Sequence, residues 1–204
     1  MTQKKSNLLL NVASVIIGSY TNGPGKRVVI WIQGCTIGCP GCFNTPMQPH
    51  EPRHLIDPLL FAEIISSECI EHGCEGVTLT GGEPFQQAAA LGIFSSKIKE
   101  NNLTIVCFSG YSKENLILSI DPSVQNLIDL VDMLIAGPYN SQNTYHRTWS
   151  DDPDKEYVFL SDSYSKADLK YDAHCELIFL ETGLTYTGFL TNQDLSTFED
   201  IFTD

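Results

Sequence analysis

Short apolar runs alternating with helical stretches constrain this chain more than any other feature. "RVVIWIQ" (27–33) is almost wholly apolar and rich in β-branched residues, as a strand buried on both faces of a parallel sheet must be. "GVTLT" (76–80), "LTIVCF" (103–108) and "VDMLIAG" (131–137) read as three further strands. Between the first two lies "DPLLFAEIISSECIEHG" (57–73), which reads as a helix. Asp57 suits its N-cap, Pro58 its first position and Gly73 its stop. Residues 86–100 and a stretch near 112–118 are the next helix candidates. Such alternation argues for a parallel α/β sheet with right-handed crossovers.

The opening "MTQKKSNLLLNVASVIIGSY" superficially resembles a secretion signal. Asn11 and Ser14 interrupt its apolar part and no small-residue cleavage site is clear, so it reads as a first strand. No run approaches the roughly 18 apolar residues of a membrane helix. After residue 138 the pattern changes. "YNSQNTYHRTWSDDPDKE" is polar and aromatic without a period, and reads as a loop or lid in which Tyr139, Tyr145, His146 and Trp149 either cover a reactive centre or cover the sheet edge. "EYVFLS", "CELIFLE" and "LTYTGFL" read as strands, with Glu181-Thr182-Gly183 as a hairpin turn. The expected organisation is a core over 1–150 and a β-rich extension over 151–204 packed on it.

Three glycine-rich stretches follow predicted strands: the cysteine loop, Gly81-Gly82-Glu83-Pro84, and Ser109-Gly110-Tyr111. Parallel strands would gather them on one rim, where open α/β sheets bind ligands, and glycine lets backbone approach a ligand closely. The cysteine loop is "GCTIGCPGCF", with Cys35, Cys39 and Cys42 spaced C-x3-C-x2-C. A 4Fe–4S cluster normally takes four thiolates, so three leave one iron open, as catalytic zinc keeps one position free. A closed zinc site using His50 or His54 as fourth ligand is the alternative. The chain holds seven cysteines, an odd count, and three are crowded together. That fits metal ligands in a reducing, cytoplasmic setting better than a disulfide framework. Cys69, Cys74, Cys107 and Cys175 form no such group and read as small buried hydrophobes. The net charge of −13 argues against nucleic acid and membrane partners.

Cys35-x3-Cys39-x2-Cys42 followed by Gly81-Gly82-Glu83-Pro84 resembles the radical S-adenosylmethionine superfamily. Within it, "GPGKRVVIWIQGC", "CPGCFN", "LTGGEP", "FSGY" and "VDMLIAGPY" are most similar to the activating enzymes of anaerobic ribonucleotide reductase. Gly41 stands where most of the superfamily has an aromatic residue, and Phe43 carries the aromatic instead, as in those activases. Arg147 is followed by "TWSDDPDK" rather than the activases' Gly-Ser-Ser-Asn-Gln-like stretch.

The resemblance implies a partial (β/α) barrel of the radical S-adenosylmethionine type, a partial TIM barrel, over 1–150. It implies a single 4Fe–4S cluster on Cys35, Cys39 and Cys42, with S-adenosylmethionine on the open iron. Gly81, Gly82, Glu83 and Pro84 would take the methionine amino group, Ser109 and Gly110 its carboxylate or ribose, and Ile135 and Gly137 the adenine. Phe43 and Asn44 would flank the nucleoside. One electron, from a low-potential donor such as flavodoxin or ferredoxin, would release a 5′-deoxyadenosyl radical that abstracts hydrogen from a larger protein or peptide. Activation of a glycyl radical enzyme is the first reading, and direct modification of a peptide or small molecule the second. Arg27 either offsets charge near the cluster or is a solvated strand end.

Overall fold

The computed structural model describes residues 8–141, 149, 152–169, 175–180 and 183–188. Its strands are β1 (Leu10–Ser19), β2 (Arg27–Ile32), β3 (His54–Ile56), β4 (Gly76–Gly81), β5 (Thr104–Ser109), β6 (Met133–Ala136), β7 (Glu156–Phe159), β8 (Cys175–Leu180) and β9 (Gly183–Gly188). The helices are α1 (Pro58–Glu71), α2 (Ala88–Glu100), α3 (Lys113–Ile117) and α4 (Pro122–Leu130). One open sheet has the order β3-β1-β2-β4-β5-β6-β7, and β8-β9 form a separate pair. The protein is therefore a mixed α/β fold.

The four predicted core strands form its centre, and β2, β4, β5 and β6 run parallel. The sheet is not wholly parallel, however. β1 pairs antiparallel with both β2 and β3, and β7 pairs antiparallel with β6. The few residues between β1 and β2 suffice for a reversal but not for a crossover. Asp57 caps α1 as expected, accepting from the backbone N–H of Leu59 and Leu60 at 3.0 and 3.1 Å. The second helix starts later than expected, because Pro84–Gln87 first make a 3-10 turn. α4 was not expected from sequence, although Asp121-Pro122 repeats the Asp57-Pro58 signal and Asp121 accepts from Ser123 N at 2.8 Å. Among the described residues no helix is long and apolar enough to cross a membrane.

Side chains alternate across the strands, so the sheet has two different faces. Val28, Ile30, Ile32, Val77, Leu79, Ile105, Cys107 and Leu134 point to one face. There they pack on Phe61, Ile65 and Cys69 of α1, Leu91, Phe94 and Ile98 of α2, and Leu127 of α4. The other face carries a smaller cluster of Val106, Met133, Ile135, Trp149 and Tyr164. Among the described residues the helices cover the first face, and Trp149, Tyr164 and the β8–β9 pair lie on the side of the second.

Arg27 fits neither expectation. It begins β2, at the end away from the cysteine loop, and is 0% exposed. Its guanidinium donates to Thr78 Oγ at 2.9 Å, Val77 O at 2.6 Å, Tyr164 OH at 2.6 Å and Thr104 O at 3.1 Å. It also lies 5.7 Å from the Tyr164 ring centroid. Oxygen dipoles and a π-face, rather than a carboxylate, thus hold this charge and join β2, β4 and β5 to the chain beyond β7. Arg27→Met leaves buried carbonyls without donors, so urea unfolding should show a loss of roughly 2–4 kcal/mol.

Candidate functional site

The cysteine loop leaves β2 at Ile32 and is folded by three backbone positions in left-handed space. These are Gly34, Gly38 and Gly41, with φ of 107°, 67° and 69°. Two hydrogen bonds fix its base: Gly34 N to Met47 O at 2.7 Å and Cys35 N to Gln48 O at 2.9 Å. Cys42 N closes a turn onto Cys39 O at 3.3 Å. Cys35, Cys39 and Cys42 are all half-buried, and all three line one cavity. Burial pushes the Cys35 thiol above its ordinary value, with Glu83 adding to the shift. A bound metal's positive charge would reverse that tendency and favour the thiolate.

The Gly81-Gly82-Glu83-Pro84 loop sits against the root of the cysteine loop. Its glycines line the cavity and also meet a packing need. A Cβ on Gly82 would lie 2.3 Å from Gly34 O, and one on Gly81 2.5 Å from Ile32 N. Two backbone bonds hold this contact, Gly82 N to Ile32 O at 2.7 Å and Glu83 N to Gly34 O at 2.9 Å. Asn44 Nδ2 adds a third tie, donating to Gly81 O at 3.1 Å.

Glu83 is only 1% exposed. Its carboxylate accepts from Ser109 Oγ at 3.0 Å, Gly110 N at 2.8 Å and Phe85 N at 3.0 Å. One side chain thereby locks the loop after β4 to the loop after β5. Burial pushes its carboxyl up to about 7, although these three hydrogen bonds and Lys155 pull it down. Ser109 does not start a helix, since Ser112 caps α3 by accepting from Asn115 N at 3.2 Å.

The cavity measures ≈ 720 Å³, within the roughly 300–1,000 Å³ range of small-molecule and cofactor sites. It opens over the face of the sheet that lacks helices, where Trp31, Thr80 and Phe108 point into it. Of the residues expected at the site, Phe43, Asn44, Gly81, Gly82, Glu83, Ser109 and Gly110 line it with the cysteines. Pro84 is buried at the start of the 3-10 turn. Ile135 points to the correct face but is fully buried against Trp149, and it does not reach the cavity wall. Gly137 ends β6 with φ +130° and donates to Ser109 O at 3.1 Å and Tyr111 O at 2.9 Å, also away from the wall.

Tyr139 lines the cavity and meets Phe43 edge-on at 5.1 Å. Tyr145, His146 and Arg147 lie outside the described residues. Sequence reasoning missed Lys155, Asn22 and the β9 residues Thr185 and Thr187, all of which line the cavity. The β8–β9 pair reaches it because Glu176 accepts from Tyr20 N at 2.9 Å and Asn22 Nδ2 donates to Thr187 Oγ at 2.7 Å. No local pattern signals those long-range pairs.

The 4Fe-4S single cluster domain family model matches residues 21–152. This chain belongs to that family. It is 27% identical over 134 residues to an anaerobic ribonucleoside-triphosphate reductase-activating protein of Enterobacteria phage T4, covering 64% of this chain and 81% of that one. The protein of the same name from Haemophilus influenzae is 27% identical over 123 residues, 58% of this chain and 77% of that one. A looser likeness, with TM-score 0.36 and 17% identity over 52% of this chain and 53% of the other, is to the crystal structure of QueE from Escherichia coli. The resemblance drawn from the motifs stands: the chain is a radical S-adenosylmethionine enzyme whose cofactors are a 4Fe–4S cluster and S-adenosylmethionine.

The donor set fits such a cluster: the three thiols of one loop line the same cavity. Neither histidine of the closed zinc alternative lines that cavity among the described residues. His50 packs against Gly34, where a Cβ would lie 2.7 Å from its Nδ1, and His54 sits exposed on the edge strand β3. Cys69, Cys74 and Cys107 are buried in the core, and burial raises the Cys69 thiol to about 12.

Two predictions follow from the brace between the loops. Gly82→Ala drives a Cβ into the backbone at Gly34, so the cysteine loop and the Gly81–Pro84 loop should separate, with a stability loss of roughly 1–3 kcal/mol in urea and fewer irons bound per chain. Glu83 titrates at about 7 in the folded protein against 4.5 for the free group. A raised carboxyl pKa favours the fold fully below the unfolded value, and that contribution is lost as pH rises through the folded one. The difference in unfolding free energy between the parent and Glu83→Gln should therefore move against the parent from about pH 4.5 to 7, and then level off.

Proposed function

We propose that Cys35, Cys39 and Cys42 hold three irons of the cluster and leave the fourth to S-adenosylmethionine, and that the protein generates a glycyl radical on a larger partner enzyme such as an anaerobic ribonucleotide reductase. The observation that carries the cluster assignment is a single loop whose three thiols face one cavity, beside a braced GGEP loop. The partner is suggested by the names of the phage and Haemophilus relatives. When bound, the cofactors supply a one-electron cleavage that yields a hydrogen-abstracting radical.

The chain's own residues position and shield. Three of the roughly four acceptor sites on the Glu83 carboxylate are already taken by protein donors. We therefore assign Glu83 to bracing, and the methionine amino group to the neighbouring loop carbonyls. Asn44 holds Gly81 in place, while Phe43 and Tyr139 meet edge-on along one side of the cavity. We read the sheet as a partial barrel with its helices outside and its site inside, and Asp152, Lys155 and the β9 residues Thr185–Gly188 of the C-terminal extension as part of the inner wall. Protein of this class would work in a reducing, cytoplasmic compartment and draw electrons from a flavodoxin or ferredoxin.

Anaerobically reconstituted protein should bind four irons per cluster and release 5′-deoxyadenosine with reductant and S-adenosylmethionine. Each of Cys35→Ser, Cys39→Ser and Cys42→Ser should lose the cluster's paramagnetic signal and reduce that release to background. A doublet on a co-purified large partner would support glycyl radical formation. Cleavage without any partner-borne radical would point to direct modification of a peptide or small molecule, and retention of a full cluster by all three variants would refute the ligand assignment.

A further inference from the structure

Lys155 is the one cationic side chain among the described residues that line the cavity. It lies just before β7 and donates from its ammonium to Gly137 O. The chain there has little freedom, since a Cβ on Gly137 would come 2.6 Å from Asp154 O. An ammonium has three donors, and one of them is used in this bond among the described residues. The acidic and thiol groups that face it come from three elements. They are Asp152 and Asp154 of its own loop, Glu83 of the loop after β4, and Cys39 of the cysteine loop. Lys155 is half-buried in the cavity wall, and burial lowers its pKa from the ordinary lysine value. A cation held at a desolvation cost is a weak stabiliser of a fold. Its field falls instead on the cavity, where the three thiols lie.

We propose that Lys155 is a positioning residue for electron entry, its fixed positive charge favouring the reduced form of the cluster. This rests on the cluster assignment above. In the step concerned, one electron from a low-potential donor enters the cluster, and no bond or proton changes place. The cage already carries three thiolates, so the added negative charge is stabilised by a nearby cation and more strongly where water is excluded. Arg in its place would keep the charge, Gln would keep a donor for Gly137 O without the charge, and Met would keep neither.

The test is an anaerobic redox titration of the reconstituted full chain, with dithionite as reductant and the reduced cluster's paramagnetic signal as readout. Iron content is measured on the same samples. Lys155→Met and Lys155→Gln should each disfavour reduction by on the order of tenfold, which is about 59 mV toward negative potential for one electron. Lys155→Arg should stay near the parent. If Lys155→Gln holds its full iron and the parent potential, the hydrogen bond alone matters and the proposal is overturned. It is equally overturned if Arg shifts as far as Gln. Parent protein with no cluster at all would overturn the cluster assignment as well, so the two failures are told apart by the iron content.

Discussion

The buried carboxylate of Glu83 joins the two loops on which the site depends. The loops after β4 and β5 come from strands that are neighbours in the sheet, but adjacency alone does not fix loop geometry. Glu83 does so with bonds from Ser109, Gly110 and Phe85. The same stretch of backbone is pinned on its other side to Ile32 and Gly34, at the root of the cysteine loop. Three chain segments far apart in sequence thus meet around one acidic side chain. Removing the carboxylate from water raises its pKa to about 7, and the surrounding donors offset that cost only in part.

The division of the sheet into two faces explains where the cavity lies. Helices α1, α2 and α4 bury one face completely. Opposite them, Trp149 and Tyr164 cover only the part near β5 and β6. The remaining area, over β1, β2 and β4, is open to the cavity and is walled on its far side by β9. The loops at the strand ends and the open face of the sheet therefore border one space. A chain segment beyond residue 152, where the family match stops, supplies part of that wall.

The electrostatics of this space are uneven. The chain carries a net charge of −13, and the cavity itself brings together Glu83, Asp152 and three thiols. Against these stands Lys155 alone among the described lining residues. At the opposite end of β2 the buried Arg27 is matched by oxygen dipoles and serves the fold. The buried Arg27 and the half-buried Lys155 thus have different surroundings: the first is tied to oxygens of β4 and β5, and the second borders the cavity.

Sequence alone determined whatever is written in neighbouring residues. The apolar runs located β2, β4, β5 and β6, and the Asp57-Pro58 pair located the start of α1, because strand burial and helix capping are local effects. The same rule would have located α4 from Asp121-Pro122. The cysteine spacing and the GGEP loop pointed to the right cofactor chemistry, since one short loop carries all three thiols. The tertiary structure alone showed that the backbone of Ile32 and Gly34 leaves no room for a Cβ at Gly81 or Gly82. It also withdrew Ile135 and Gly137 from the cavity wall and brought in Lys155, Asn22 and Thr187. Those residues are joined by hydrogen bonds and packing across distant segments, and no spacing along a chain encodes which distant surfaces will touch.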